Sequence, residues 1–95
     1  LATKCFAVDW APYRIRVNAV SPGYIETPLT GTFFVDHDFY QHLLRRTPQG
    51  RLGKPEEVAA AIDFLTSPEA SFITGIDLPV DGGLLAGDPA LSSRS

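Results

Sequence analysis

The stretch RVNAVSPGYIETP, Arg16 to Pro28, decides how the rest of the chain is read. Its first half alternates as a strand does, with Val17 and Ala19 on one face and Asn18 and Val20 on the other. Ser21-Pro22-Gly23 then reads as a stop and a turn. Thr27 followed by Pro28 has the form of a helix N-cap with proline at the first helical position. An apolar strand ending this abruptly raises the question of what its loop is for.

Working outward, residues 1–11 read as the end of a helix. Leu1, Cys5 and Val8 recur at helical spacing with Ala2 and Phe6 beside them, and Pro12 closes the run. IRVNAV, residues 15–20, is expected as a short, mostly buried strand. Asp36 or Asp38 is placed to cap a helix running to about Arg46, with Phe39, Tyr40, Leu43 and Leu44 as its apolar stripe. KPEEVAAAIDFLTSP sets Pro55 at a first helical position, with Glu56 and Glu57 where the positive end of the helix dipole favours them. Val58, Ala61, Ile62 and Leu65 then share a face until Ser67-Pro68. IDLPV, residues 76–80, alternates as a second strand, and Pro79 points to a sheet edge because it cannot donate to a ladder. The tail from Gly87 offers little to bury and is expected to be mobile.

Two strands joined by a helical crossover predict a parallel pair in an α/β sheet. Such a pair has little partner surface of its own. The expectation is therefore the last part of a larger α/β fold. The bulk composition is compatible with this. The 95 residues carry a formal charge of −3, with 44% hydrophobic and 20% charged side chains. That is ordinary globular composition for at most one domain. A chain of this length buries only about 60–65% of its unfolded surface. Mild acidity argues against a nucleic-acid surface, which needs clustered Lys and Arg. No apolar run approaches the roughly 20 residues that span a bilayer. Cys5 is the single cysteine, which leaves no internal disulfide, fits a reducing, cytoplasmic setting, and reads as a packing residue rather than a reactive thiol.

Three segments, in order, carry a resemblance: Phe6 to Thr27 with its IRVNAVSPG core, RLGKPEEVAAAIDFLTSPEASFITG from Arg51 to Gly75, and LPVDGG from Leu78 to Gly83. Together they resemble the C-terminal part of a short-chain dehydrogenase/reductase, which implies the C-terminal portion of one doubly wound, Rossmann-type domain, here with two strands and about three helices. The resemblance implies an oxidoreductase that moves hydride between NAD or NADP and an alcohol or ketone, in a homo-oligomer, tetramer or dimer. It also implies an answer to the question above: the loop after the strand lies beside the nicotinamide, as ligands in open α/β sheets bind at the carboxyl ends of strands. Pro22 and Gly23 would let backbone approach the ring closely. The backbone of Ile25 would meet the carboxamide, and the Thr27 hydroxyl the carboxamide or a nearby phosphate. A plain Pro-Gly turn and a Thr27 helix cap are the structural alternatives, and capping is compatible with cofactor contact.

Other residues take more modest readings. Asn18 is a structural hydrogen-bonder near the strand end, and Ser21 has no His–acid pattern that would make it a nucleophile. The resemblance implies a catalytic Tyr-x-x-x-Lys, but Tyr13, Tyr24 and Tyr40 are followed four positions later by Val17, Pro28 and Leu44. In the family that motif sits on the helix continued by Leu1 to Trp10, so no catalytic residue is assigned here. GGLLAGDP, residues 82–89, has the wrong spacing for a phosphate loop and reads as a terminal loop. Residues 29–50 correspond to the substrate lid, where Phe33, Phe34, Phe39 and Tyr40 either wall the substrate or hold the lid to the body. His42, Arg45 or Arg46 would then lie near an anionic group, and FYQHLLRRTPQGR resembles family members acting on gluconate-like acids. His37 and His42 lie about 140° apart around a helix, which is no metal pair, and no metal is expected. A non-catalytic oligomerising module, built on residues 55–66 and 76–80, is the rival expectation.

Overall fold

The computed structural model describes residues 2–27 and 36–87. Leu1, Pro28, the lid phenylalanines Phe33 and Phe34 and the tail beyond Gly87 lie outside the described residues. Helix α1 spans Ala2–Trp10 and passes into a 3-10 turn, Ala11–Tyr13. Pro12 sits in that turn, and Arg14 stops it in the left-handed region with φ 62°. Strand β1 is Ala19–Pro22, α2 is His37–Arg46, α3 is Pro55–Leu65 and β2 is Asp77–Val80. The two strands pair in parallel, Ala19 with Asp77 through Pro22 with Val80. Helix α3 is the crossover and packs against both. The architecture is the expected α/β one.

The first strand, however, begins and ends later than its hydrophobic pattern indicates. Ile15–Asn18 are extended but unpaired as a ladder, and Ser21 and Pro22, read as a stop, lie inside the strand. The reason is which way each backbone group faces. Ala19 N–H donates to Ile76 O (2.9 Å) and Gly23 N–H to Val80 O (3.1 Å). With ladder bonds at alternate residues, the nitrogen of Pro22 faces away from β2, where its missing N–H removes nothing. The same alternation turns Pro79 outward from β1, as an edge position requires.

Two polar side chains ahead of β1 tie it to the crossover. Asn18 Nδ2 donates to Ile73 O (3.1 Å), and Asn18 Oδ1 accepts from Ile76 N–H (3.2 Å), the structural role expected of it. Arg16 donates through Nη1 to Leu65 O (2.7 Å) and Ile73 O (3.2 Å), and through Nη2 to Ser67 O (3.4 Å). Replacing Asn18 by leucine keeps the shape and strands both partners. A loss of roughly 1–3 kcal/mol is expected, read from the urea midpoint.

The core is small. Ala7, Leu52, Leu65 and Ala70 are buried, and no large side chain among the described residues is wholly enclosed. Helix α1 buries Ala7, beside the bare Gly75, rather than the Cys5 and Val8 stripe; Cys5 is exposed and Val8 is 74% exposed. The packing role expected of Cys5 is therefore not met within this chain. Among the described residues, Lys4 and Ala7 of α1 meet Gly75, while Phe6 and Trp10 stack on each other, ring centroids 5.1 Å apart. An apolar trough of about 670 Å³ runs along β1, walled by Trp10, Ile15, Val17, Val20, Ile62 and Leu65. Among the described residues no helix is long and apolar enough to cross a membrane.

Candidate functional site

Three segments converge at the carboxyl ends of the strands: Gly23–Glu26, Leu52–Lys54 and Asp81–Gly83. Gly23 comes against Asp81 so closely that a Cβ there would stand 2.8 Å from both Asp81 Cα and Asp81 Cβ. Its bare face is thus filled by the chain leaving β2. Asp81 in turn accepts from Gly83 N–H (2.9 Å) and Leu85 N–H (3.0 Å), capping the short Leu84–Ala86 turn. Gly82 (φ 63°) and Gly83 (φ 97°) occupy the left-handed region, and a Cβ on them would stand 2.9 Å from Thr47 Cγ2 and 3.0 Å from Pro48 Cγ. Residues 82–86 are this packed turn, in keeping with the terminal-loop reading.

Beyond Gly23 the chain makes a single bridge. Gly53 N–H donates to Tyr24 O (2.9 Å), and Glu26 N–H donates to Gly53 O (2.8 Å). In an extended backbone these groups lie on one side, so the N–H and C=O of Ile25 face the other. No described residue bonds to either of them. The Ile25 side chain folds over Gly53, its Cδ1 reaching 2.7 Å from where a Gly53 Cβ would stand.

The bend that presents Gly53 is set by the start of α3. Glu57 accepts from Lys54 N–H (2.9 Å) and takes a bidentate pair from Arg51 (2.8 and 2.9 Å). Arg51 Nη1 also reaches Leu52 O at 3.1 Å. Hydrogen bonding from Arg51, and then from the Lys54 amide, lowers the Glu57 pKa from 4.5 to about 2. The Arg51 pKa is raised, chiefly by the hydrogen bond to Glu57. A carboxylate with a depressed folded-state pKa contributes stability above its unfolded pKa, and loses it as pH falls through the folded one. Between pH 4.5 and about 2 the wild-type midpoint in urea should therefore fall with acid, and the Glu57→Gln midpoint should fall less. The pair is half exposed, so the difference should be small and shrink in high salt.

A polar cavity of about 350 Å³ lies against these segments, walled among others by Tyr24, Ile25, Arg51, Glu57, Asp81 and Gly83. Of the residues expected at a cofactor, Ile25 lines it, whereas Pro22, Gly23 and Thr27 lie just outside. Helix α2 is capped by Asp36 Oδ1, which accepts from Phe39 N–H (3.0 Å). It is moored at its far end, where Thr47 Oγ1 donates to Leu43 O and Gln49 N–H donates to Gly82 O. Tyr40, Leu43 and Leu44 are half-buried, while Phe39, His42, Arg45 and Arg46 are exposed. No cluster of metal-ligating side chains occurs among the described residues. Gly53, Arg51 and Asp81 escaped sequence reasoning. The one available signal was Glu57 three residues after the helix cap, where a capping box places a glutamate.

The profile of a family described as Enoyl-(Acyl carrier protein) reductase matches residues 1–85. A tropinone reductase homolog of Arabidopsis thaliana is 51% identical over 81 residues, covering 85% of this chain and 26% of its own. Galactitol 2-dehydrogenase (L-tagatose-forming) of Cereibacter sphaeroides is 46% identical, covering 85% and 32%. A crystal structure assigned provisionally as a 2-deoxy-d-gluconate 3-dehydrogenase of Agrobacterium tumefaciens, with bound NADP, superposes with a TM-score of 0.83 at 44% identity. The match covers 90% of this chain and 35% of that one. The chain thus spans about a third of the length of the relatives it matches.

Proposed function

The chain belongs to the short-chain dehydrogenase/reductase family, and from that premise we propose that it forms the nicotinamide-side wall and substrate lid of an NAD(P)-dependent oxidoreductase. The observation that carries this reading is the backbone of Ile25. Its N–H donor and C=O acceptor stand side by side beyond the carboxyl end of β1, with no hydrogen-bond partner among the described residues. A carboxamide offers the complementary acceptor and donor, and open α/β sheets bind ligands at this end. The bound cofactor would supply hydride exchange with an alcohol or ketone carbon. Pro22 and Gly23 would bound the ring, Ile25 would hold the carboxamide through its backbone, and Thr27 would add a hydroxyl contact.

The substrate proposed is a small polyol or sugar acid. The exposed His42, Arg45 and Arg46 of α2 supply the cationic side that a carboxylate would need, and the provisionally assigned gluconate-type relative supports the same class. The enzyme is proposed to be cytoplasmic and homo-oligomeric. The 95-residue chain by itself should show no turnover with any alcohol or ketone, because it contains no Tyr-x-x-x-Lys. The test is an amide-shift titration of the labelled chain with nicotinamide mononucleotide, NADH and NADPH. Shifts at Ile25 and Thr27 are expected, and silence across residues 22–27 at saturating ligand sinks the proposal.

One observation favours a second reading, assembly. Phe64 of α3, within the segment named for an oligomerising surface, is 48% exposed, and Phe72, between that segment and β2, is wholly exposed. Sedimentation of the chain separates the two, since a compact monomer at all concentrations counts against self-association.

A further inference from the structure

We propose that Arg51 and Glu57 are positioning residues for the Ile25 backbone, acting through Gly53. This rests on the nicotinamide reading above but stands on its own geometry. Between Gly23 and Thr27 the loop is held by two backbone hydrogen bonds, and both go to Gly53. Gly53 is bracketed on each side. Before it, Leu52 is buried and its carbonyl accepts from Arg51; after it, the Lys54 N–H donates to Glu57. The bidentate Arg51–Glu57 pair closes the bracket, so that one carboxylate fixes both ends of the bend carrying Gly53. Release of that pair would let the bend turn, and with it the direction in which Ile25 presents its N–H and C=O.

Exposure separates positioning from stability here. The two side chains are 49% and 43% exposed, and ion pairs so open to water contribute little to global stability. A bidentate pair in a defined bend nevertheless sets geometry, and small misplacements of a binding group carry large penalties in affinity. A Cβ at Gly53 would stand 2.7 Å from Ile25 Cδ1, so the Ile25 side chain would have to swing aside to admit one.

The experiment uses the labelled chain with two readouts, amide hydrogen exchange at Glu26 and affinity for nicotinamide mononucleotide. Glu57→Ala removes both bracket contacts. Glu57→Gln keeps an acceptor for Lys54 N–H but loses the charge. With Glu57→Ala, exchange at Glu26 should quicken by roughly tenfold, and affinity should fall by a similar factor, each being about one hydrogen bond's worth. Exchange at Gly23, which reports the β1–β2 ladder, should stay unchanged, and Glu57→Gln should recover part of both effects. Unchanged Glu26 exchange in Glu57→Ala overturns the proposal. So does parallel loss at Glu26 and Gly23, which would mean general loosening. If the wild-type chain shows no response at Ile25 to the mononucleotide, the nicotinamide reading fails, while the exchange readout still decides the bracket.

Discussion

Alanine at Gly23 should lower the melting temperature by on the order of 10–20 °C, one of the two largest effects expected in this chain. The added Cβ would lie 2.8 Å from Asp81 Cα, and that atom belongs to backbone that cannot rotate aside. Overpacking of this kind costs about 1–3 kcal/mol, and a contact with main chain belongs at the upper end. In a domain of this size each kcal/mol moves the transition by roughly 4–8 °C. The Gly23 N–H bond to Val80 O would be strained as the strand ends are pushed apart. A companion variant sharpens the result: Asp81→Gly in the same chain removes the Cβ clash and leaves the one with Cα. Little recovery is expected. Full rescue by Asp81→Gly, or a melting temperature unmoved by Gly23→Ala, would show that backbone packing is not what demands glycine there.

The second large effect is expected at Arg16. Methionine keeps most of the aliphatic stem and removes a forked donor that reaches three carbonyls, of Leu65, Ile73 and Ser67. Leu65 ends α3, where the carbonyls lack helical partners and the dipole favours a cation. Hydrogen bonds from a charged donor contribute about 1.5–3 kcal/mol, and partial access to water reduces what three together are worth. A net loss of about 2–4 kcal/mol is expected from urea unfolding. Arg16→Lys should restore only a minor part, because an ammonium cannot reproduce the planar fork. A midpoint shift equivalent to less than about 0.5 kcal/mol, the range of inert surface changes, would remove Arg16 from this role.

These two positions show where sequence reading works and where it stops. Helix α3 was legible because Pro55, Glu56 and Glu57 state its start in local chemistry, and it runs Pro55–Leu65. A cap at Asp36 or Asp38 was legible for the same reason, and it is Asp36 that accepts from Phe39 N–H. Asn18 could be read as a structural hydrogen-bonder, although not with which partners. The start of β1 was misplaced because apolar alternation marks faces and not ladder partners. Its pairing begins only where Asp77 comes alongside Ala19. Cys5 was misread because periodicity identifies a stripe without saying whether anything in the chain covers it.

The sequence alone determined the element order, the parallel α/β arrangement and the family, because caps, prolines and motif order act within a few residues of one another. The tertiary structure alone decided that Gly23 faces Asp81, that Arg16 closes the crossover, and that Gly53 bonds Tyr24 and Glu26 while the Ile25 amide and carbonyl face away from it. Those contacts join residues some 27 to 58 positions apart. Nothing local encodes them, since they exist only once the chain has folded and brought its distant backbone groups into hydrogen-bonding range.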